Sequence, residues 1–248
     1  MVLEIRKEEQ PTPGWSKGAY EAIYSEAGIR QRDSFYRWIL RLLRPRPGRR
    51  LLDVACGEGS LPRLAALAGL EAHGLDLSEV AIRIAAREAP ATLLVADGER
   101  LPYADASFDY VTSIGSLEHY LHPPQGVREM ARVLAPDGLA LVLLPNTFSL
   151  LGNVWAAFRT GWPVDDGQPI QRYAARRQWQ ALLEEGGLVV ERTVKYEREW
   201  PTSLADLRWY LSRPKALIRL LLTPFIPLNL ASCFVYLCRR AEGFGYRV

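Results

Sequence analysis

LLDVACGEGS, residues 51–60, decides how this chain is read. LLDVA (51–55) is a short apolar run around one acid, the pattern of a parallel strand covered on both faces. Gly57 and Gly59 follow it. Lacking a Cβ, they let the chain turn sharply and bring its backbone close to a ligand at the strand's carboxyl end. A second strand, LEAHGLD (70–76), ends on Asp76, seventeen residues after Gly59. A strand, a glycine turn, a helix and a second strand closed by an acid suit a ligand that carries a nucleoside.

Asp53 and Pro62 separate the candidate ligands. A dinucleotide brings an anionic pyrophosphate, which seeks bare amides at a helix N-terminus and has no use for an acid beside it. Asp53 stands just before the turn, where it can meet a positively charged group, and Pro62 replaces the third glycine of the dinucleotide pattern. A sulfonium amino acid with a free ammonium, S-adenosylmethionine, is therefore favoured over NAD. Asp76 suits a ribose diol in either ligand class, or serves as N-cap partner to Ser78. Asp97 and Gly98 end a third strand, where they can meet an adenine amino group or simply form a turn before GERLP.

Working outward, residues 15–43 read as one helix stopped by RPRPG (44–48). Ser60 and Ser78 are expected to cap the helices after the first and second strands. TLLVAD (92–97), FDYVTSI (108–114) and LALVLLP (139–145) continue the strands, the last after the helix GVREMARVL. Strands alternating with helices imply βαβ crossovers and a doubly wound α/β sheet. Beyond Asn146 a helix at 148–159, a loop at GWPVDDGQP, a helix at 176–187 and a strand at 188–196 are expected. A basic, apolar helix over 203–222, interrupted at Pro214, and a strand at 232–240 complete the reading.

Of the 248 residues, 48% are apolar, ample for one core, and the 24% charged fraction is ordinary for a globular protein. Cys56, Cys233 and Cys238 are too few for a disulfide framework or a zinc site. MVLEIRKEEQ has no apolar secretion-signal core, so a reducing, cytoplasmic setting is the default expectation. Residues 220–238 carry no formal charge, but Pro224, Pro227 and Asn229 near the centre argue against a spanning helix. Charge is uneven: residues 29–50 hold eight arginines against Asp33, and residues 192–248 hold ten Lys or Arg against four acids. Such ends can face an anionic surface or form solvated helix faces.

LLDVACGEG, GLDLS, VADGERLPYADASFDYV and SLEHYLHPPQGVREMARVLAPDGLALVLLPN together resemble the class I, seven-stranded S-adenosylmethionine-dependent methyltransferases, within them the methyltransferase type 11 group. The resemblance covers about residues 45–146, and loosely WQALLEEGGL at 179–188, but not the insertions at 148–170 or 201–230. It implies one domain over 1–248 with a mostly parallel seven-stranded sheet whose last strand is antiparallel. Within it, 1–48 would be a helical cap, 49–146 the cofactor-binding core, and 147–175 and 201–230 acceptor-side insertions. It further implies that Gly57 and Gly59 line the methionine part, that Cys56 belongs to the cofactor-binding set and that Asp76 holds the ribose. Leu77, Asp97 and Gly98 would meet the adenine, Ile114 would offer a carbonyl to the ammonium, and Tyr20 would cover the cofactor.

Methyl transfer from a sulfonium needs alignment and desolvation, and an oxygen acceptor also needs a base. His119, just past the fourth strand, is the candidate, with His122 a second choice; a structural hydrogen bond is the alternative for His119. Quinone-type O-methyltransferases, which this loop resembles, carry Glu–x–x–Glu–His there and are thought to hold a divalent metal. Glu118 and His119 match, but Gly115 replaces the first Glu, so no metal is expected. Trp155, Phe158, Trp162, Trp200, Trp209, Tyr210, Phe225 and Ile226 suggest apolar acceptor walls, hence a lipid, quinone-like or natural-product acceptor, or else core or a dimer contact. Trp209, Tyr210 and leucines mixed with Arg208, Arg213, Lys215 and Arg219 also suit a helix lying on an anionic bilayer. A nucleic-acid methyltransferase is disfavoured, because SIGSLEHY stands where DNA amino-methylating enzymes carry their Pro–Pro–aromatic run, and no nucleic-acid partner is expected. A non-catalytic S-adenosylmethionine-binding regulator is the remaining alternative. Nothing in the sequence specifies an oligomeric state.

Overall fold

The computed structural model describes residues 2–243. In chain order, the first half comprises β1 (Leu3–Arg6), α1 (Pro13–Glu26), α2 (Asp33–Leu43), β2 (Arg50–Val54), α3 (Ser60–Leu67), β3 (Glu71–Asp76), α4 (Glu79–Ala85), β4 (Thr92–Val95) and β5 (Phe108–Ile114). The second comprises α5 (Pro123–Val133), β6 (Leu134–Pro145), α6 (Trp155–Thr160), β7 (Ile170–Tyr173), α7 (Arg176–Glu185), β8 (Leu188–Tyr196), α8 (Leu204–Leu211), α9 (Pro214–Leu222) and β9 (Cys233–Arg240).

Seven strands form one sheet in the order β4-β3-β2-β5-β6-β9-β8. Strands β2 to β6 are parallel where they pair, and β9 runs antiparallel to β6 and β8. Both faces are covered. Phe35, Ile39 and Leu43 of α2 pack with Leu61 and Ala65 of α3 on one side. Val127, Met130 and Ala131 of α5 pack with Trp179 and Leu183 of α7 on the other. This double cover is why β2 reads as an unbroken apolar run rather than an alternation. The chain leaves β2 in one direction and returns to β5 on its other side, which opens a crevice at the carboxyl ends of those two strands.

Several expectations need correction. The helix expected over 15–43 is two helices: Gly28, in the left-handed region, donates its N–H to the Ile23 carbonyl and ends α1. Their tasks differ, since α2 buries an apolar stripe on the sheet while α1 turns Ser16, Tyr20 and Tyr24 toward the crevice. Ser60 is the first residue of α3 rather than its cap, a place taken by Gly59, whereas Ser78 does cap α4 and accepts from Ala81 N–H. Residues 220–238 divide among the end of α9, two short 3₁₀ turns and β9. Among the described residues no helix is long and apolar enough to cross a membrane.

A second sheet was not expected. β1 pairs antiparallel with β7, Leu3 opposite Tyr173 and Arg6 opposite Ile170. The ribbon is tied to the main domain by Arg172, whose guanidinium donates to the Glu118 and Tyr120 carbonyls and pairs with Glu4.

Candidate active site

A cavity of about 440 Å³ occupies the crevice. That volume is within the range of small-molecule sites. Its floor is the turn after β2, where Ala55 (φ 59°) and Gly57 (φ 53°) both take the left-handed conformation. For alanine this is uncommon, and the turn persists because its amides are engaged: Cys56 N–H donates to the Leu75 carbonyl, and Gly57 N–H to Asp76 Oδ2 at 2.9 Å. The other Asp76 oxygen accepts from Ser78 N–H at 2.9 Å. Asp76 therefore clamps two turns while still lining the cavity, so its ribose and N-cap readings are compatible.

Asp53 is buried beneath the turn and its Oδ1 accepts from the Thr112 hydroxyl at 2.6 Å. Burial, with a smaller contribution from the Asp76 charge, pushes its carboxyl up to about 7, against the hydroxyl's pull downward. Cys56, Leu77, Asp97, Gly98 and Ile114 line the same cavity, with Tyr20 on its α1 wall. Gly98 is held to glycine by close approach, since a Cβ there would lie 2.0 Å from Tyr120 Oη. Gly59 stands one step back from the cavity. Its φ of 75° opens α3, and a Cβ would lie 2.7 Å from that of Ala85, so its work is close packing of α3 on α4.

His119 lies in the loop after β5, buried and on the cavity wall. Its Nδ1 is bonded to the Ile170 carbonyl of β7. A carbonyl only accepts, so Nδ1 carries the proton and Nε2 is the nitrogen free to take one. Burial lowers its pKa from the usual histidine range, which keeps the ring neutral at pH 7. The structural hydrogen bond expected as the alternative is present, and the same bond fixes the orientation of the ring. Glu118 Oε1 lies 3.8 Å from Nε2. Burial pushes the Glu118 carboxyl up to about 8, and its other oxygen is enclosed without a hydrogen-bond partner. His122 is elsewhere, exposed and paired with Glu99 at 2.9 Å. Among the described residues no three His, Cys, Asp or Glu side chains cluster as a metal set.

The expected aromatic walls do not line the cavity. Tyr210 and Ile226 are buried in the cap, and Trp209 is held between Arg32 and Arg213, 4.3 and 4.7 Å from its ring centroid. Trp155, Phe158, Trp162, Trp200 and Phe225 are exposed, Phe158 and Phe225 by 80% and 82%. Asp166, Gln168 and Arg219 of the same insertions do line the cavity, and its aromatic lining beyond Tyr20 comes from Tyr24, Phe35, Tyr36, Tyr120, Tyr173 and Tyr196. Sequence reading did not place those residues on the cavity; for Tyr24 the i, i+4 spacing from Tyr20 was the available signal.

Asp53, Asp76 and Asp97 gather around the turn, and both cationic side chains that line the cavity other than histidine, Arg198 and Arg219, lie on the half formed by β8 and α9. That donor set fits a cationic ligand with a sugar and disfavours a pyrophosphate, whose charge would meet three carboxylates. S-adenosylmethionine, a cation that carries a ribose, is a ligand of that kind.

Comparison with known proteins agrees. Residues 52–142 match the family described as the methyltransferase domain. The chain is 32% identical over 193 residues to methyltransferase GfsG of Streptomyces halstedii, spanning 74% of this chain and 67% of that one. It is 31% identical over 176 residues to malonyl-[acyl-carrier protein] O-methyltransferase of Halorhodospira halophila, spanning 67% and 57%. The chain spans less than two thirds of the length of several curated relatives it matches, 27%, 41% and 57% for three of them. The S-adenosylmethionine-dependent methyltransferase of Mesorhizobium loti superposes with a TM-score of 0.62 at 22% identity, over 83% of this chain and 98% of its own, and shows the shared fold. The chain belongs to the class I S-adenosylmethionine-dependent methyltransferases, in the methyltransferase type 11 group.

Proposed function

We propose that this protein methylates a small, amphiphilic acceptor on oxygen, with His119 as the general base. The observation that carries the reading is a single cavity running from the carboxylates at the β2 turn to a neutral histidine whose Nε2 is left open. Bound there, S-adenosylmethionine supplies a methyl group on a sulfonium that leaves as a neutral thioether, so the chain's task is alignment, exclusion of water and removal of one proton. Asp53, Cys56, Gly57, Asp76, Leu77, Asp97, Gly98, Ile114 and Tyr20 form the donor half, Gly59 supports the turn, and His119 takes the proton an acceptor hydroxyl must lose. Tyrosine faces favour an acceptor with an apolar body, and one relative is itself named an O-methyltransferase. Incubation with methyl-labelled S-adenosylmethionine and a lipid and metabolite extract is expected to place label in an organic-soluble methyl ether, whereas label only in a base-labile ester would keep the oxygen assignment and remove the base role of His119. Label on nitrogen or carbon alone would refute the oxygen assignment, and none at all the enzymatic one.

Peripheral contact with an anionic membrane is part of the proposal. Helices α8 and α9 expose Leu204, Leu207, Leu211, Ile218, Leu221 and Leu222, with Phe225 just beyond them. Arg208, Arg213 and Lys215 are interspersed, and the only acid of residues 200–232, Asp206, is buried against Arg32. Apolar exposure with uncompensated positive charge complements an anionic bilayer. Sedimentation is expected to show binding to phosphatidylglycerol-containing vesicles at low salt, weaker at high salt, and little binding to pure phosphatidylcholine. Equal binding to both, or pelleting of the chain by self-association without vesicles, would overturn it.

A further inference from the structure

We propose that Arg198 binds an anionic head group on the acceptor, so that the acceptor is an amphiphile carrying a carboxylate or phosphate. This rests on the reading that the opposite half of the cavity holds the methyl donor.

The chain leaves β8 as Tyr196–Glu197–Arg198–Glu199, and the two acids beside Arg198 are both engaged elsewhere. Glu197, wholly enclosed, accepts from the Ser232 hydroxyl at 2.8 Å and pairs with Arg219 Nε at 3.0 Å. Glu199, also buried, accepts from Ser34 Oγ at 2.8 Å and Tyr196 Oη at 2.9 Å, with Arg32 at 4.0 Å. Arg198 lies between them on the cavity wall, its Nε shielded from solvent and without a hydrogen-bond partner. Guanidinium stays charged at any working pH and cannot relieve its burial by losing a proton. Its enclosed Nε–H therefore needs an acceptor, and none on the chain is in place.

The charge balance says which kind. Glu197 and Arg219 pair with each other and leave Arg198 as the unpaired charge after β8, whereas the β2 end is lined by Asp53, Asp76 and Asp97; Glu118 and Asp166 also line the cavity. The sheet order separates the two ends: donor-side residues follow β2 and β3, while Arg198 follows β8, beyond β5, β6 and β9. A planar fork of N–H donors whose charge no acid on the chain pairs matches the paired oxygens of a carboxylate or phosphate. His119 lines the same cavity, so an acceptor held by its anionic group at Arg198 can extend toward the base.

The test is calorimetric titration of the protein, saturated with S-adenosylhomocysteine, with octanoate, octyl phosphate and octanol. The two anions are expected to bind roughly 10- to 100-fold more tightly than octanol. Arg198→Gln should remove that preference while leaving S-adenosylhomocysteine affinity unchanged, and Arg198→Lys should retain part of it. The tighter of octanoate and octyl phosphate identifies the head group. Equal binding of octanol and both anions to the wild-type protein, or an unchanged preference in Arg198→Gln, would overturn the proposal. Should Arg198→Gln disturb folding, Arg198→Lys decides: a preference identical to wild type for the planar carboxylate counts against the fork. Failure of S-adenosylhomocysteine to bind the wild type would strike the donor reading instead, and the three titrations can be repeated without it.

Discussion

Asp76→Ala is expected to lower affinity for S-adenosylmethionine by on the order of 100-fold and to destabilise the fold by about 2 kcal/mol. Two effects combine. The carboxylate accepts from Gly57 and Ser78 N–H groups at 2.9 Å each, and its loss leaves both donors in a dry turn. Burial already pushes the Asp76 carboxyl upward, so removing the charge recovers some desolvation cost and offsets part of the damage. For a chain of this size the net change corresponds to a fall in melting temperature of roughly 4–8 °C. Asp53→Asn separates binding from stability. An amide oxygen can still accept from Thr112 Oγ1, so the fold should hold or gain slightly above pH 7, while the charge that meets an ammonium is gone. Melting curves and calorimetric titration of both variants check this. If Asp76→Ala melts lower yet binds the donor as the wild type does, Asp76 is a turn clamp and no more.

The cavity lining around the β2 turn was legible because its sequence pattern is local. A strand, a turn and an acid sit within 26 residues, from Leu51 to Asp76, and each residue's place follows from its own neighbours. Gly59 shows the limit of such reading: a glycine two residues from a contact residue serves helix packing against Ala85, a partner visible only once α4 is folded. The acceptor half is non-local. Glu197, Arg198 and Arg219 come from β8 and α9, Ser232 precedes β9, and Gln171 and Tyr173 come from β7. Aromatic composition misled there. A tryptophan in an insertion can face a cavity, a core or solvent with the same sequence signature, and here Trp155 and Trp162 face solvent. The β1–β7 ribbon was missed although Leu3–Arg6 alternates apolar and polar, because a four-residue pair has little pattern to read and its partner lies over 160 residues away.

That ribbon matters most for the second large effect. His119→Gln is expected to cut kcat by roughly 10²- to 10⁴-fold while leaving S-adenosylmethionine affinity near wild type. Glutamine keeps an N–H that can donate to the Ile170 carbonyl but has no basic nitrogen, so the loop is spared and the chemistry is not. The pH profile follows from the two buried groups. Below the usual histidine range His119 gains a proton and kcat/KM falls, with the midpoint displaced to lower pH because burial disfavours the imidazolium. Glu118 is neutral until about pH 8; above that its carboxylate, 3.8 Å from Nε2, stabilises the imidazolium that forms as the acceptor loses its proton. Activity should therefore climb in two steps, one below pH 6.5 and one near pH 8. Glu118→Gln removes the upper step and leaves the lower. A third variant tests the ribbon: Arg172→Met frees the Glu118 and Tyr120 carbonyls from β7 and should lower kcat more than it raises KM, because the ring that takes the proton loses its fixed orientation. Should His119→Gln instead turn over at the wild-type rate with a flat profile, transfer proceeds by alignment alone and the acceptor must present an atom that is already a nucleophile at neutral pH.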